Sequence, residues 1–144
     1  MSLVYMLEVV IGIGILIFIH ELGHFLVAML SKVKVEKFSL GFGPELAGFT
    51  RGETRYSLRL IPLGGYVKML GEEPDSDTVK DPRSFQAQPF RRKAAILAAG
   101  SLANILLALV LFIGVFQAGV TFCSARAGRV EYGGPAYYAG LKAG

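Results

Sequence analysis

A chain of 144 residues and 15.5 kDa has room for one small domain. Hydrophobic residues make up 53%, charged residues only 18%, and mean hydropathy is +0.50, which excludes a disordered segment and sets the chain apart from ordinary soluble domains. The formal charge of +4 does not by itself imply nucleic-acid binding, because the basic residues are grouped by position, and the single cysteine, Cys123, excludes an internal disulfide or a four-cysteine metal site.

The first apolar segment runs from Leu3 to Leu30, interrupted by Glu8, His20, Glu21 and His24. As a helix it would be about 42 Å long, enough to cross a bilayer core of about 30 Å and emerge. Met1 to Met6 carry no Lys or Arg, so the segment reads as a retained helix rather than a cleaved signal peptide. The connection that follows, 31–93, reads as a small β-hairpin or meander lying against the membrane face. Val33–Leu40 is rich in strand formers and is broken by Gly41-Phe-Gly-Pro44. Thr54–Leu60 alternates polar and apolar residues, Pro62 and Gly64-Gly65 interrupt, and Tyr66–Leu70 can form a third short strand. Gly71–Pro89 is acidic and contains proline, as an exposed connection does.

A second span is expected over Ala94–Ala118, which has no charge and only Ser101, Asn104 and Gln117 as polar interruptions. Twelve Lys or Arg lie in 31–93, none precede the first helix, and three follow the second. The positive-inside tendency therefore places that connection in the cytoplasm and both ends of the chain outside.

The chemistry is concentrated in His20-Glu-Leu-Gly-His24, which matches H-E-x-x-H and contains both histidines of the chain. Residues four apart share a helix face, so the two imidazoles can reach one metal ion, and Glu21 can serve as the base toward water. Ionisable groups at membrane depth cost about 2.5–3.5 kcal/mol each on insertion scales and mark functional sites. A proton relay in a transporter and a polar helix–helix contact remain alternatives, though neither requires this spacing.

The residues resemble the site-2 proteases, which are intramembrane zinc metallopeptidases, and most closely the bacterial regulator-of-sigma-E protease group. His20-Glu-Leu-Gly-His-Phe25 is similar to that family's metal motif. Phe38-Ser-Leu-Gly-Phe-Gly43 and Ile61-Pro-Leu-Gly-Gly-Tyr-Val-Lys68 are similar to its membrane-associated β-region. Ala98-Ala-Gly-Ser-Leu-Ala-Asn104 resembles the start of its second core helix, and Gly134–Gly144 the early part of a PDZ domain. The resemblance implies an α-helical integral membrane protein in which residues 1–118 form the amino-terminal part of the protease core and 119–144 a linker and incomplete PDZ-like segment.

It further implies Zn2+ held by His20 and His24, Glu21 as the catalytic base, and Asn104, Gly64 and Gly65 as substrate-positioning residues. The substrate would be a single-pass transmembrane protein cut within the lipid bilayer of a bacterial inner membrane, with no part for nucleic acid. Asn104 could equally be interhelical glue, and Gly12, Gly14 and Gly100 read as close-packing positions. The family's third zinc ligand is an aspartate on a later helix. Here the only aspartates, Asp75, Asp77 and Asp81, lie in the acidic connection, so the sequence reads as an amino-terminal fragment inactive alone. A non-catalytic module binding membrane helices and a proton-coupled transporter fragment are the competing functions.

Overall fold

The computed structural model describes residues 2–73, 80–119 and 129–142. Asp75, Asp77 and Cys123 therefore lie outside the described residues. Helix α1 spans Leu3–Leu30, strand β1 Val35–Arg51, strand β2 Thr54–Met69, helix α2 Phe90–Ala118 and the single turn α3 Pro135–Tyr138. The chain divides into two compact units, Met1–Leu111 and Phe112–Gly144.

The expected bounds of α1 match those observed. Its end is defined by backbone chemistry. Lys32 takes the left-handed conformation (φ 61°), its N–H reaches Met29 O at 3.0 Å, and Val33 N–H reaches Ala28 O at 3.0 Å. That is a Schellman closure with lysine where glycine is usual, and Val33 and Ala28 are packed in the same buried cluster.

Helix α2 begins at Phe90, four residues before the expected Ala94, so Arg91, Arg92 and Lys93 occupy its first turn. Cations there oppose the helix dipole. The preceding loop holds two of them, as Arg92 donates to Gln88 Oε1 at 3.0 Å and Lys93 to Gln86 Oε1 at 3.1 Å.

Strands β1 and β2 each run unbroken through the expected interruptions, yet the chain reverses at those places. Val35 pairs with Met69 and Lys37–Leu40 with Lys68–Gly65, in antiparallel sense. Lys37–Leu40 also pair with Arg55–Leu58, the partner numbers now rising together, while Ala47–Arg51 pair with Leu58–Thr54 as an antiparallel hairpin. Two bent strands thus make a four-segment sheet ordered 65–69, 35–40, 54–59, 45–51. Gly41 and Gly43, at φ 89° and 85°, supply one reversal. Gly64, at φ 136°, adjoins the other.

The sheet does not lie flat across the end of α1. It runs alongside the helix, and a Cβ on Gly14 would meet Pro62 O at 3.3 Å. Gly14 is sixteen residues before Leu30, so the sheet climbs about 24 Å along α1. Its upper part exposes Phe42, Leu46, Leu60, Ile61 and Leu63. Arg59 stands in this apolar zone with each guanidinium nitrogen donating, to Ser39 Oγ (3.0 Å), Gly43 O (2.8 Å) and Tyr66 Oη (3.0 Å). Three of its five N–H donors are engaged, which offsets part of the cost of a charge placed there.

The buried core sits at the opposite end of the sheet. Ala28, Val33, Val35, Phe38, Val67, Met69, Phe85 and Ile96 form it, with the Phe25 and Phe38 rings 5.1 Å apart. Elsewhere the helices bury little. None of the most apolar stretch of α1 is buried and 17% of that of α2 is. A core helix of a soluble protein would be mostly covered, so these two helices have the exposure of membrane spans. In the second unit, taken by itself, Pro135 opens α3 after Gly134, and Tyr132 packs on Tyr137 at 4.7 Å.

Candidate metal centre

His20, Glu21 and His24 lie half-buried on α1, where the helical repeat brings the two imidazoles to one face. Their Nε2 atoms are 3.1 Å apart and the ring planes are 79° from parallel. Two ligands at about 2.0–2.1 Å from a tetrahedral ion stand about 3.3 Å apart, so the pair fits a shared metal such as zinc.

Both rings are oriented from α2. His24 Nδ1 lies 2.7 Å from Ile96 O, a carbonyl that can only accept. Nδ1 therefore carries the proton, and Nε2 keeps the lone pair a metal needs. His20 Nδ1 faces Asn104 Nδ2 at 3.4 Å, while Asn104 Oδ1 is buried without a partner. A half-turn of the amide brings Oδ1 to Nδ1–H, which satisfies the orphaned oxygen and leaves His20 Nε2 free to bind metal. Asn104 thus meets the candidate ligand His20 rather than only a neighbouring backbone.

Close approach of the helices depends on two glycines. A Cβ on Gly100 would overlap His24 Nε2 and lie 2.7 Å from His20 Nε2. A Cβ on Gly23 would stand 2.5 Å from Ala99 O and 2.9 Å from Ala103 Cβ. Gly100 was expected to allow close packing, and what it admits is the pair of imidazoles. Gly14 accommodates the sheet. Gly12 has nothing within 4 Å among the described residues. Gly23 escaped the sequence reading, although its place inside the motif, one residue before His24, was a signal for it.

The sheet supplies the third wall. A Cβ on Gly65 would lie 3.1 Å from Glu21 Cγ, and Glu21, His24, Gly65, Tyr66, Glu72 and Leu97 border a recess of about 250 Å3. Gly64 is set differently, since the Phe42 ring fills the space a side chain would need. Gly65 therefore touches the catalytic candidate and Gly64 shapes the backbone beside it. Among the described residues no group of three or more His, Cys, Asp or Glu is arranged to hold a metal ion, and Asp81 accepts from the backbone N–H of Arg83 at 2.7 Å.

Two helices whose apolar faces stay uncovered, joined by a sheet that closes over an H-E-x-x-H pair, define a membrane metallopeptidase architecture. Residues 8–137 match Peptidase family M50, and the chain belongs to that family, the site-2 proteases. A "Putative zinc metalloprotease" of Clostridium acetobutylicum is 44% identical over 146 residues, covering 100% of this chain and 41% of its own. A protein of the same name from Clostridium perfringens is 41% identical over 97% of this chain and 41% of its own. A third, from Synechocystis, is 42% identical over 79% of this chain and 31% of its own. The chain thus spans about two fifths of the length of the first two relatives, 41% of each.

Proposed function

We propose that the chain is the amino-terminal part of a zinc-dependent intramembrane endopeptidase of the regulator-of-sigma-E protease type, cutting the transmembrane segment of single-pass proteins in a bacterial cell membrane. The observation that carries this reading is the 3.1 Å Nε2 pair of His20 and His24, oriented from α2 and flanked by Glu21, on an apolar helix left uncovered. His20 and His24 hold the zinc. A catalytic zinc takes three protein ligands, and the third, an aspartate, comes from the remainder of the whole protein. Zinc, when bound, supplies the Lewis acidity that lets a water lose its proton near neutral pH. Glu21 takes that proton and returns it to the leaving amine, and Asn104 keeps His20 in its ligating tautomer. The sheet enters the membrane beside α1 with its apolar upper residues toward lipid. Its connection to α2 faces the cytoplasm, and residues 129–142 open a PDZ-like domain.

A peptide bond inside a helix is shielded, so the substrate must be extended before it is cut. The sheet offers an edge for strand addition. Segment 54–59 is paired on both sides, which makes it structural, whereas 65–69 is paired only with 35–40 and has Gly65 beside Glu21. N-methylation of a peptide substrate at the backbone amides next to the scissile bond should lower cleavage about fivefold per lost hydrogen bond. Unchanged rates for every methylated position would rule out strand addition.

The test of the function is metal dependence of cleavage by the whole protein in proteoliposomes, with a single-span reporter as substrate. Chelation should abolish cleavage, zinc should restore it, and His20→Ala or His24→Ala should each remove the bound metal. A protein that holds no zinc yet moves protons across the bilayer would instead be a transporter using the same pair.

A further inference from the structure

The end of α1 that carries the Schellman closure also borders a cavity of about 590 Å3. One wall is apolar, formed by Phe25, Met29 and Tyr56, and the rim carries Lys32, Lys34, Arg51 and Arg83 with one carboxylate, Glu53. With Asp81, which pairs with Arg83 at 3.8 Å beside the rim, four cations face two anions and leave a net +2. Glu53 is already shared between Arg83 at 2.8 Å and Lys34 at 3.3 Å, and hydrogen bonds from Arg83 and then Lys34 hold its carboxyl below the usual range, so it is ionised at neutral pH. Lys32 and Arg51 have no side-chain hydrogen bond or ion pair to any described residue. Among the described residues they are the two rim cations left for a ligand.

We infer that this cavity holds an anionic phospholipid, with its phosphate between Lys32 and Arg51 and an acyl chain along Phe25 and Met29. Charge selects an anion. The apolar wall selects one that carries a hydrocarbon chain, since Met29 is 51% exposed and Leu30 82% exposed at the foot of a helix with an uncovered apolar face. A soluble phosphate would use the rim and leave the wall without a partner. Lys32 is two residues past the end of α1, where a basic side chain meets the headgroup layer. The lipid would brace the hairpin tip, Arg51–Thr54, against the foot of α1. The inference rests on α1 spanning a membrane and is independent of peptide cleavage.

The experiment is native mass spectrometry of the whole protein purified in detergent and titrated with phosphatidylglycerol or phosphatidylcholine. One phosphatidylglycerol should be retained at concentrations where phosphatidylcholine is not. The double variant Lys32→Gln/Arg51→Gln should bind it about tenfold more weakly or worse, from the loss of two surface cations. The charge-conserving Lys32→Arg/Arg51→Lys should bind as the parent does, which separates lost charge from misfolding. Equal retention of the two lipids would overturn the inference, as would unchanged binding by the Gln variant or displacement of the lipid by millimolar inorganic phosphate. None of these readouts depends on zinc or cleavage, so the site can fail while the protease reading stands.

Discussion

Exchanging Glu21 for Gln should leave the whole protein able to hold zinc and lower its cleavage of a membrane-embedded substrate by about 10²–10⁴-fold, the usual contribution of a positioned general base. The amide has nearly the same shape as the carboxylate, so the contact of the Cγ with Gly65 is preserved. What disappears is the ability to take a proton. The metal ligands are untouched, because His24 is oriented by Ile96 O and His20 by Asn104, neither of which involves Glu21. Zinc content by elemental analysis and cleavage rate in proteoliposomes separate the two effects. If Glu21→Gln cleaves within tenfold of the parent while holding its zinc, Glu21 is not the base and another group must move the proton.

The helices and the motif were legible because each is local. Uninterrupted hydropathy fixes a span whatever surrounds it, and a four-residue spacing puts two histidines on one helix face without help from the rest of the chain. The sheet was only partly legible. Three of its four segments could be read, with breaks at Gly41-Phe-Gly-Pro44 and Pro62-Leu-Gly-Gly65, since glycine and proline act on their own backbone, but segment 45–51 and its tight turn at Gly52 (φ 63°) were not foreseen. Register is a pairing between distant residues, and nothing in 35–40 announces that it sits between 65–69 and 54–59. The climb along α1 was hidden for the same reason, because contacts such as that of Gly14 with Pro62 join residues far apart in the chain. Helix glycines show the limit most directly. Gly12, Gly14, Gly23 and Gly100 look alike in sequence, yet among the described residues one faces nothing, one a sheet, one a helix backbone and one the two imidazoles.

That difference predicts a graded response to one methyl group. Gly100→Ala should reduce zinc affinity at least about 100-fold, at the upper end of what losing support around a metal ligand costs. The added Cβ would overlap His24 Nε2 and press within 2.7 Å of His20 Nε2, where the metal-facing lone pairs lie. The helices cannot part to make room without opening the Gly23 contact with Ala99 and withdrawing Ile96 O from His24. Helix propensity works the other way, since alanine is favoured over glycine by about 1 kcal/mol inside a helix, so the helical signal should not fall. Gly12→Ala and Gly114→Ala, each with nothing within 4 Å among the described residues, should bind zinc as the parent does. A general weakening of the fold would lower thermal stability in Gly100→Ala and leave zinc affinity near the parent value. Loss of zinc with helicity retained is the signature of a site that needs the empty space at Gly100. Full zinc affinity in Gly100→Ala would mean that the imidazoles meet the metal from a different side than their present contact with α2 implies.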